Sequence, residues 1–168
     1  MRAIRAAAAV ICVLLLCCFT ACNSDSASQA ANGAMTEVKD DGGNLTGYER
    51  RYVDDEGRIT RWDRYDANGE YQSFVLYQYN DEGLLYTETF YRADGIAESR
   101  IVYEYDDDGV LSAKSYEYPH GDALTDRYNA DGEIVEKLYY GEDEQLYRHD
   151  VLEDGVWKSY DPDGNSME

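Results

Sequence analysis

Three groups of side chains in this 168-residue chain have the right types and spacing to do chemistry at a surface. Trp62, Tyr71, Phe74, Tyr86 and Trp157 stand outside the recurring tyrosine phrase described below. Flat rings of this kind can stack on the apolar faces of sugars, while nearby Asp and Glu accept hydroxyl hydrogen bonds. The competing use of an aromatic is to bury its ring in a half-wet sheet with its polar tip in solvent. Asp106-Asp107-Asp108-Gly109 and Asp161-Pro162-Asp163-Gly164-Asn165 offer oxygens to Ca²⁺. The spacing departs from a calcium loop, which needs its glycine at the sixth position and a closing Glu at the twelfth, so these acids read first as turn chemistry. Arg50, Arg51, Arg58, Arg61 and Arg64 either form an anion-binding or partner patch or pair across strands with Glu49, Asp54, Asp55, Glu56 and Asp63.

Catalytic signatures do not emerge. His120 sits in a Pro-His-Gly turn, and neither it nor His149 has the His-x-x-His spacing of a zinc site. No nucleophile-elbow phrase supports a Ser/His/Asp triad. A glycosidase needs two carboxylates about 5–9.5 Å apart, but among 35 acids any chosen pair is uninformative. The expectation is a non-enzyme with no metal and no cofactor.

The start of the chain reads as an address. Arg2 and Arg5 precede an apolar run from Ala6 to Phe19, then Thr20-Ala21 and Cys22. This is a secretory signal pattern, and the run is shorter than the roughly 20 residues that span a bilayer. Phe19-Thr20-Ala21-Cys22 resembles the lipobox of bacterial lipoproteins. The resemblance implies cleavage of 1–21 and lipid on Cys22, which anchors the chain to the membrane on its extracytoplasmic side. The other outcome is ordinary cleavage with Cys22 left as a free thiol. Cys12, Cys17 and Cys18 lie inside the removed segment. The formal net charge of −20 becomes −22 when Arg2 and Arg5 are lost, which excludes nucleic acid as a partner of a basic patch. Residues 22–47 are rich in Ser, Ala, Asn and Gly and read as a flexible polar tether, with an end-to-end distance of roughly 25–30 Å.

These candidate residues must be positioned by residues 48–168, where glycine punctuates a repeat. Gly57, Gly69, Gly83, Gly95, Gly109 and Gly121 alternate spacings of 12 and 14, so every second glycine steps by 26. Gly132, Gly155 and Gly164 continue the series. One phrase recurs, Tyr followed by three residues and Gly, as in Tyr65–Gly69, Tyr79–Gly83, Tyr91–Gly95, Tyr105–Gly109, Tyr128–Gly132 and Tyr160–Gly164. Val53 and Val151 replace Tyr in copies ending at Gly57 and Gly155. Asp or Asn opens the turn by bonding the backbone two residues on. Gly takes the positive φ of a type I turn with a G1 bulge. Tyr ends one strand, and Ile59, Leu85, Leu111 or Ile134 begins the next. About ten strands are predicted, near 47–53, 58–65, 70–79, 84–91, 96–105, 110–118, 122–128, 133–140, 145–151 and 156–160. Tyr71, Ser73, Val75, Tyr77 and Tyr79 are predicted on one face, with Phe74 and Leu76 on the other. The fold class is all-β, an antiparallel meander of tandem hairpins in a curled sheet or barrel, with Tyr and aliphatic residues concave and charge convex.

Tyr52-Val-Asp-Asp-Glu-Gly57-Arg-Ile59, Tyr103-Glu-Tyr105-Asp-Asp-Asp-Gly109-Val-Leu111 and Tyr128-Asn-Ala-Asp-Gly132-Glu-Ile134 look like YD repeats of the RHS family. Gly155-Val-Trp157-Lys-Ser-Tyr160-Asp-Pro-Asp-Gly164 looks like a MORN-type variant repeat. Both resemblances imply a β-hairpin array used for binding or scaffolding, and neither carries a catalytic residue onto this chain. The expected function is a membrane-anchored, monomeric binding protein for a protein or glycan. The alternative is a carrier or chaperone holding an apolar ligand in a Tyr-lined curl.

Overall fold

One turn design makes nearly every hairpin. In the first full copy, Gly57 N–H donates to Asp54 O at 3.0 Å and Asp54 N–H to Arg58 O at 2.9 Å. The same pair of bonds closes the turns opened by Asp40, Asp66, Asn80, Arg92, Asp106, Tyr118, Asn129, Gly141 and Asp161. Where Asp or Asn opens, its carboxylate or amide oxygen accepts from the backbone ahead: Asp106 Oδ1 takes Asp108 N–H at 3.0 Å and Val110 N–H at 2.9 Å. The fourth residue needs positive φ, and Gly supplies it at 78–95° in nine of these turns.

The computed structural model describes residues 31–167; the signal segment and Cys22 lie outside the described residues. The strands are β1 (Ala31–Asn32), β2 (Thr36–Lys39), β3 (Leu45–Val53), β4 (Ile59–Asp66), β5 (Tyr71–Tyr79), β6 (Leu85–Arg92), β7 (Ala97–Tyr105), β8 (Leu111–Glu117), β9 (Ala123–Tyr128), β10 (Ile134–Tyr140), β11 (Leu146–Glu153), β12 (Val156–Tyr160) and β13 (Ser166–Met167). From β3 onward each strand pairs antiparallel with its neighbours in chain order, in one open sheet. The all-β meander is as expected, and Ile59, Leu85, Leu111 and Ile134 do begin strands. The sheet does not close into a barrel. All described strands lie in one unclosed sheet, each lies beside only the strands it pairs with, and few side chains are buried, so among the described residues no second layer covers either face.

A single layer has a thin core. Val75, Ala113 and Leu138 are the buried apolar residues among those described, joined by buried Asp63, Thr87, Asp126 and Asp150. These residues fall near the middles of seven different strands, so the core is a line across the sheet rather than a slab. Tyrosines tie the repeats together. Tyr79 OH donates to Ile59 O at 2.8 Å, and Tyr105 OH donates to Leu85 O at 2.9 Å, an identical link one 26-residue step later.

Four expectations change. Residues 36–47 are not tether: β2 pairs with β3, as does β1. These two segments form one edge strand interrupted at 33–35, where a β-carbon on Gly33 would collide with Arg51 O. Tyr71 is not on the Val75 face. A register shift between Arg64 and Tyr65 places Tyr71 opposite Tyr65 and turns it to the Phe74 side. Gly155 closes a different turn: Glu153 pairs directly with Val156, with Asp154 at φ 52° and Gly155 at φ 79°, the two-residue type I′ pattern. Charge and aromatics are mixed on both faces, not divided between a concave and a convex side.

The acid has a clear location. The ten five-residue turns and Glu153–Val156 hold 23 of the 35 acidic residues but only two bases, Arg58 and Arg92. The strands carry nearly balanced charge, so both rims of the sheet are strongly negative.

Candidate binding faces

On one face the register sets Arg50, Asp63, Phe74 and Tyr91 in a row across β3 to β6. Asp63 is 2% exposed. Arg61 Nε donates to its Oδ1 at 2.6 Å, Tyr71 OH to Oδ1 at 3.3 Å, and Tyr52 OH to Oδ2 at 3.1 Å. Arg61 Nη2 also donates to Tyr71 OH at 2.8 Å. Above this network the rings stand in a ladder. Tyr65 and Tyr71 have centroids 5.2 Å apart, Tyr71 and Phe74 6.2 Å, and Phe74 and Tyr91 4.6 Å with ring planes at 3°. The Arg61 guanidinium lies 4.4 Å from the Phe74 centroid. Burial pushes the Tyr65 and Tyr71 phenols above their ordinary range.

The other face repeats the theme with different residues. Trp62 has the Arg64 guanidinium 4.0 Å and the Arg51 guanidinium 5.3 Å from its ring, and its Nε1–H donates to Glu49 at 3.1 Å. Toward the other end, buried Asp150 takes two bonds from Arg148, both 2.8 Å, and one from Tyr139 OH at 3.2 Å. Burial works against the Asp150 charge, but Arg148, Ser159 and Tyr139 outweigh it and hold the carboxyl below its usual range. Asp126 pairs with Lys137 at 3.0 Å, and Tyr103 OH donates to Glu88 at 2.6 Å.

The five aromatic candidates therefore do not form one platform. Tyr71 and Phe74 are neighbours on one face, and Trp62 is on the other. Tyr86 is 46% exposed beside the turn before β6, and Trp157 is 43% exposed on β12. Phe74 is the most enclosed ring of the ladder, stacked on Tyr91 with the Arg61 guanidinium against it. Among the arginines of 50–64, Arg51 pairs with Glu49, Arg58 with Asp54 and Glu56, and Arg61 with Asp63. These bonds run along one strand or within one turn, not across strands. Arg64 spends its charge on Trp62, and Arg50 Nε is buried without a partner. Among the described residues no group of three His, Cys, Asp or Glu is placed to hold a metal ion. His149 Nε2 is 2.6 Å from Glu136.

Buried Asp126 and Asp150 are the residues that sequence reasoning missed, because acids were assigned to turns, and Asp63 was expected only as a cross-strand partner of the arginines. A signal is present: Arg61-x-Asp63 and Arg148-x-Asp150 each put a long cation two residues before an acid, hence on the same face of one strand.

No protein-family model matches the chain, and no curated protein is similar to it. A solved structure, a protein of unknown function from Bacteroides fragilis NCTC 9343, is 13% identical over 80% of this chain and 88% of that one, with a TM-score of 0.24.

Proposed function

We propose that the chain is a lipid-anchored, extracytoplasmic binding or scaffolding protein whose open sheet meets a protein or glycan partner. The observation that carries this is the single layer: the described strands lie in one unclosed sheet beside only their pairing partners, so among the described residues nothing covers either face. Cys22 and the signal pattern before it supply the anchor, and the hairpin array suits scaffolding. At the aromatic ladder a protein partner fits better than a sugar, because the central ring, Phe74, already has Tyr91 stacked on it and Arg61 against it. A carrier would need walls facing each other across a cavity, which an unclosed single layer does not provide.

The test is expression of the full chain in a bacterial host fed a clickable fatty acid, followed by membrane fractionation and in-cell crosslinking. Lipid on the wild type, none on Cys22→Ser, and a crosslinked partner lost on Arg61→Ala are the expected results. A secreted, unlipidated product, or a partner indifferent to substitutions on both faces, would refute the reading.

A further inference from the structure

The molecule repeats one small constellation: an aromatic ring, a carboxylate, and a cation placed against both. Arg61 lies over Phe74 and bonds Asp63. Arg58 lies 4.7 Å from the Tyr79 centroid and 2.7 Å from Asp54. Arg148 lies 5.0 Å from the Tyr139 centroid and 2.8 Å from Asp150. Lys137 joins Trp157 to Asp126, and Arg51 joins Trp62 to Glu49. In each case the protein fills the position with its own side chain.

One place has the ring and the carboxylates but no such cation. A groove of about 460 Å³ lies between turns 92–96 and 118–122 on one rim of the sheet, lined by Ile96, Tyr118, Pro119, His120, Glu98 and Asp122 among others. Its volume is within the roughly 300–1,000 Å³ of small-ligand sites. Turn 118–122 is packed on turn 141–145: a β-carbon on Gly121 would come within 2.6 Å of Glu142 O, whereas one on Gly95 would meet nothing within 4 Å. Ile96 is 55% and Tyr118 47% exposed. Among the described residues, the Tyr118 ring has neither an aromatic nor a cationic partner. The side chains of Glu98, Tyr118, His120 and Asp122 make no hydrogen bond or ion pair there. Arg92, the one arginine in the wall, is committed to Asp94 at 2.9 Å.

We infer that this groove receives an arginine side chain from an extended basic segment of a partner protein. The guanidinium would lie over Tyr118, with Glu98 and Asp122 accepting its hydrogen bonds and Ile96 and Pro119 covering its methylene stem. The charge matches: the groove opens on a rim rich in carboxylates and poor in bases, whose field gathers cations and repels anions. This deepens the binding reading above and rests on it only in taking the partner to be a protein.

The probe is N-acetyl-L-arginine amide, titrated into the full chain while the ring signals of Tyr118 and His120 are followed by NMR. The neutral citrulline analogue and maltose are run alongside. Saturable shifts in the millimolar range, weakened by added salt, are expected for the arginine compound. Asp122→Asn weakens binding at least threefold, Tyr118→Leu abolishes it, and Tyr118→Phe retains it. Asp161→Asn, in a turn distant along the chain, leaves binding unchanged and controls for general charge. Absence of shifts with arginine, equal binding of citrulline, or preferential binding of maltose would each overturn the inference. The probe needs neither lipid nor partner, so its failure leaves the anchored-binding reading standing.

Discussion

Gly57 and Glu144 occupy the same position of the same turn with opposite chemistry. Gly57 has φ 80° and Glu144 φ 60°, both left-handed. A β-carbon on Gly57 would meet nothing within 4 Å, so Gly57→Ala tests backbone conformation without a steric clash. A left-handed L-residue costs about 1–2 kcal/mol. The smaller unfolded-state entropy of Ala returns roughly 0.5–1 kcal/mol. Gly57→Ala therefore destabilises by about 0.5–1 kcal/mol, and Glu144→Gly stabilises by a similar amount, since Glu144 loses no side-chain bond. With a urea slope of about 2 kcal/mol/M, the midpoints move about 0.3–0.5 M in opposite directions. Urea titration of both variants, followed by tyrosine near-UV circular dichroism, is the assay. An unchanged midpoint for Gly57→Ala, or a lowered one for Glu144→Gly, would refute the idea that positive φ is what selects glycine in these turns.

Gly121→Ala should cost more than Gly57→Ala, by about 1 kcal/mol or more, because its β-carbon also runs into Glu142 O; the same urea series ranks the two. Asp63→Ala strips Arg61 and two tyrosine hydroxyls of their common acceptor. Removing one partner of a buried pair costs about 3–5 kcal/mol, and the partial exposure of Arg61 reduces this to about 2–3 kcal/mol, read as a lower thermal midpoint. The Asp150 carboxyl is held below its ordinary range in the folded state, so its contribution is present above the unfolded pKa of about 3.9 and is lost as pH falls through the lower, folded value. Wild type should lose stability in that acid window, and Asp150→Asn should show a shallower acid dependence in denaturation measured from pH 6 downward.

The meander was readable because its punctuation is chemical. Asp54, Asp66, Asn80, Asp106, Asn129 and Asp161 open turns for the same reason, and the glycines after them close those turns. All ten predicted strands appear within two residues of their predicted ends. What escaped had no such mark. Glu144 closes a turn without glycine, and the sequence Thr36-Glu37-Val38-Lys39 joins an edge through backbone bonds that leave its side chains exposed. The side assigned to Tyr71 failed because the bulge at the hairpin adds a residue and breaks the two-residue alternation. The ladder of Tyr65, Tyr71, Phe74 and Tyr91 follows from that bulge, so strict alternation could not assemble it. Single-layer architecture was hidden because the strands mix ring, cation and acid on both faces, giving no dry side to point at a second layer.

The nearest-neighbour contacts carry a consequence for how the chain folds. All-β proteins are usually slow because their strands pair across long stretches of sequence. Here every strand from β3 onward finds its partner across one short turn, and even the Tyr79–Ile59 and Tyr105–Leu85 links reach back only 20 residues. Closing such loops is cheap in chain entropy, so hairpins can form anywhere and zip outward. Folding should be fast for a β protein and nearly independent of length. Insertion or excision of one 26-residue step should change stability by a fixed increment while leaving the remaining strands in register.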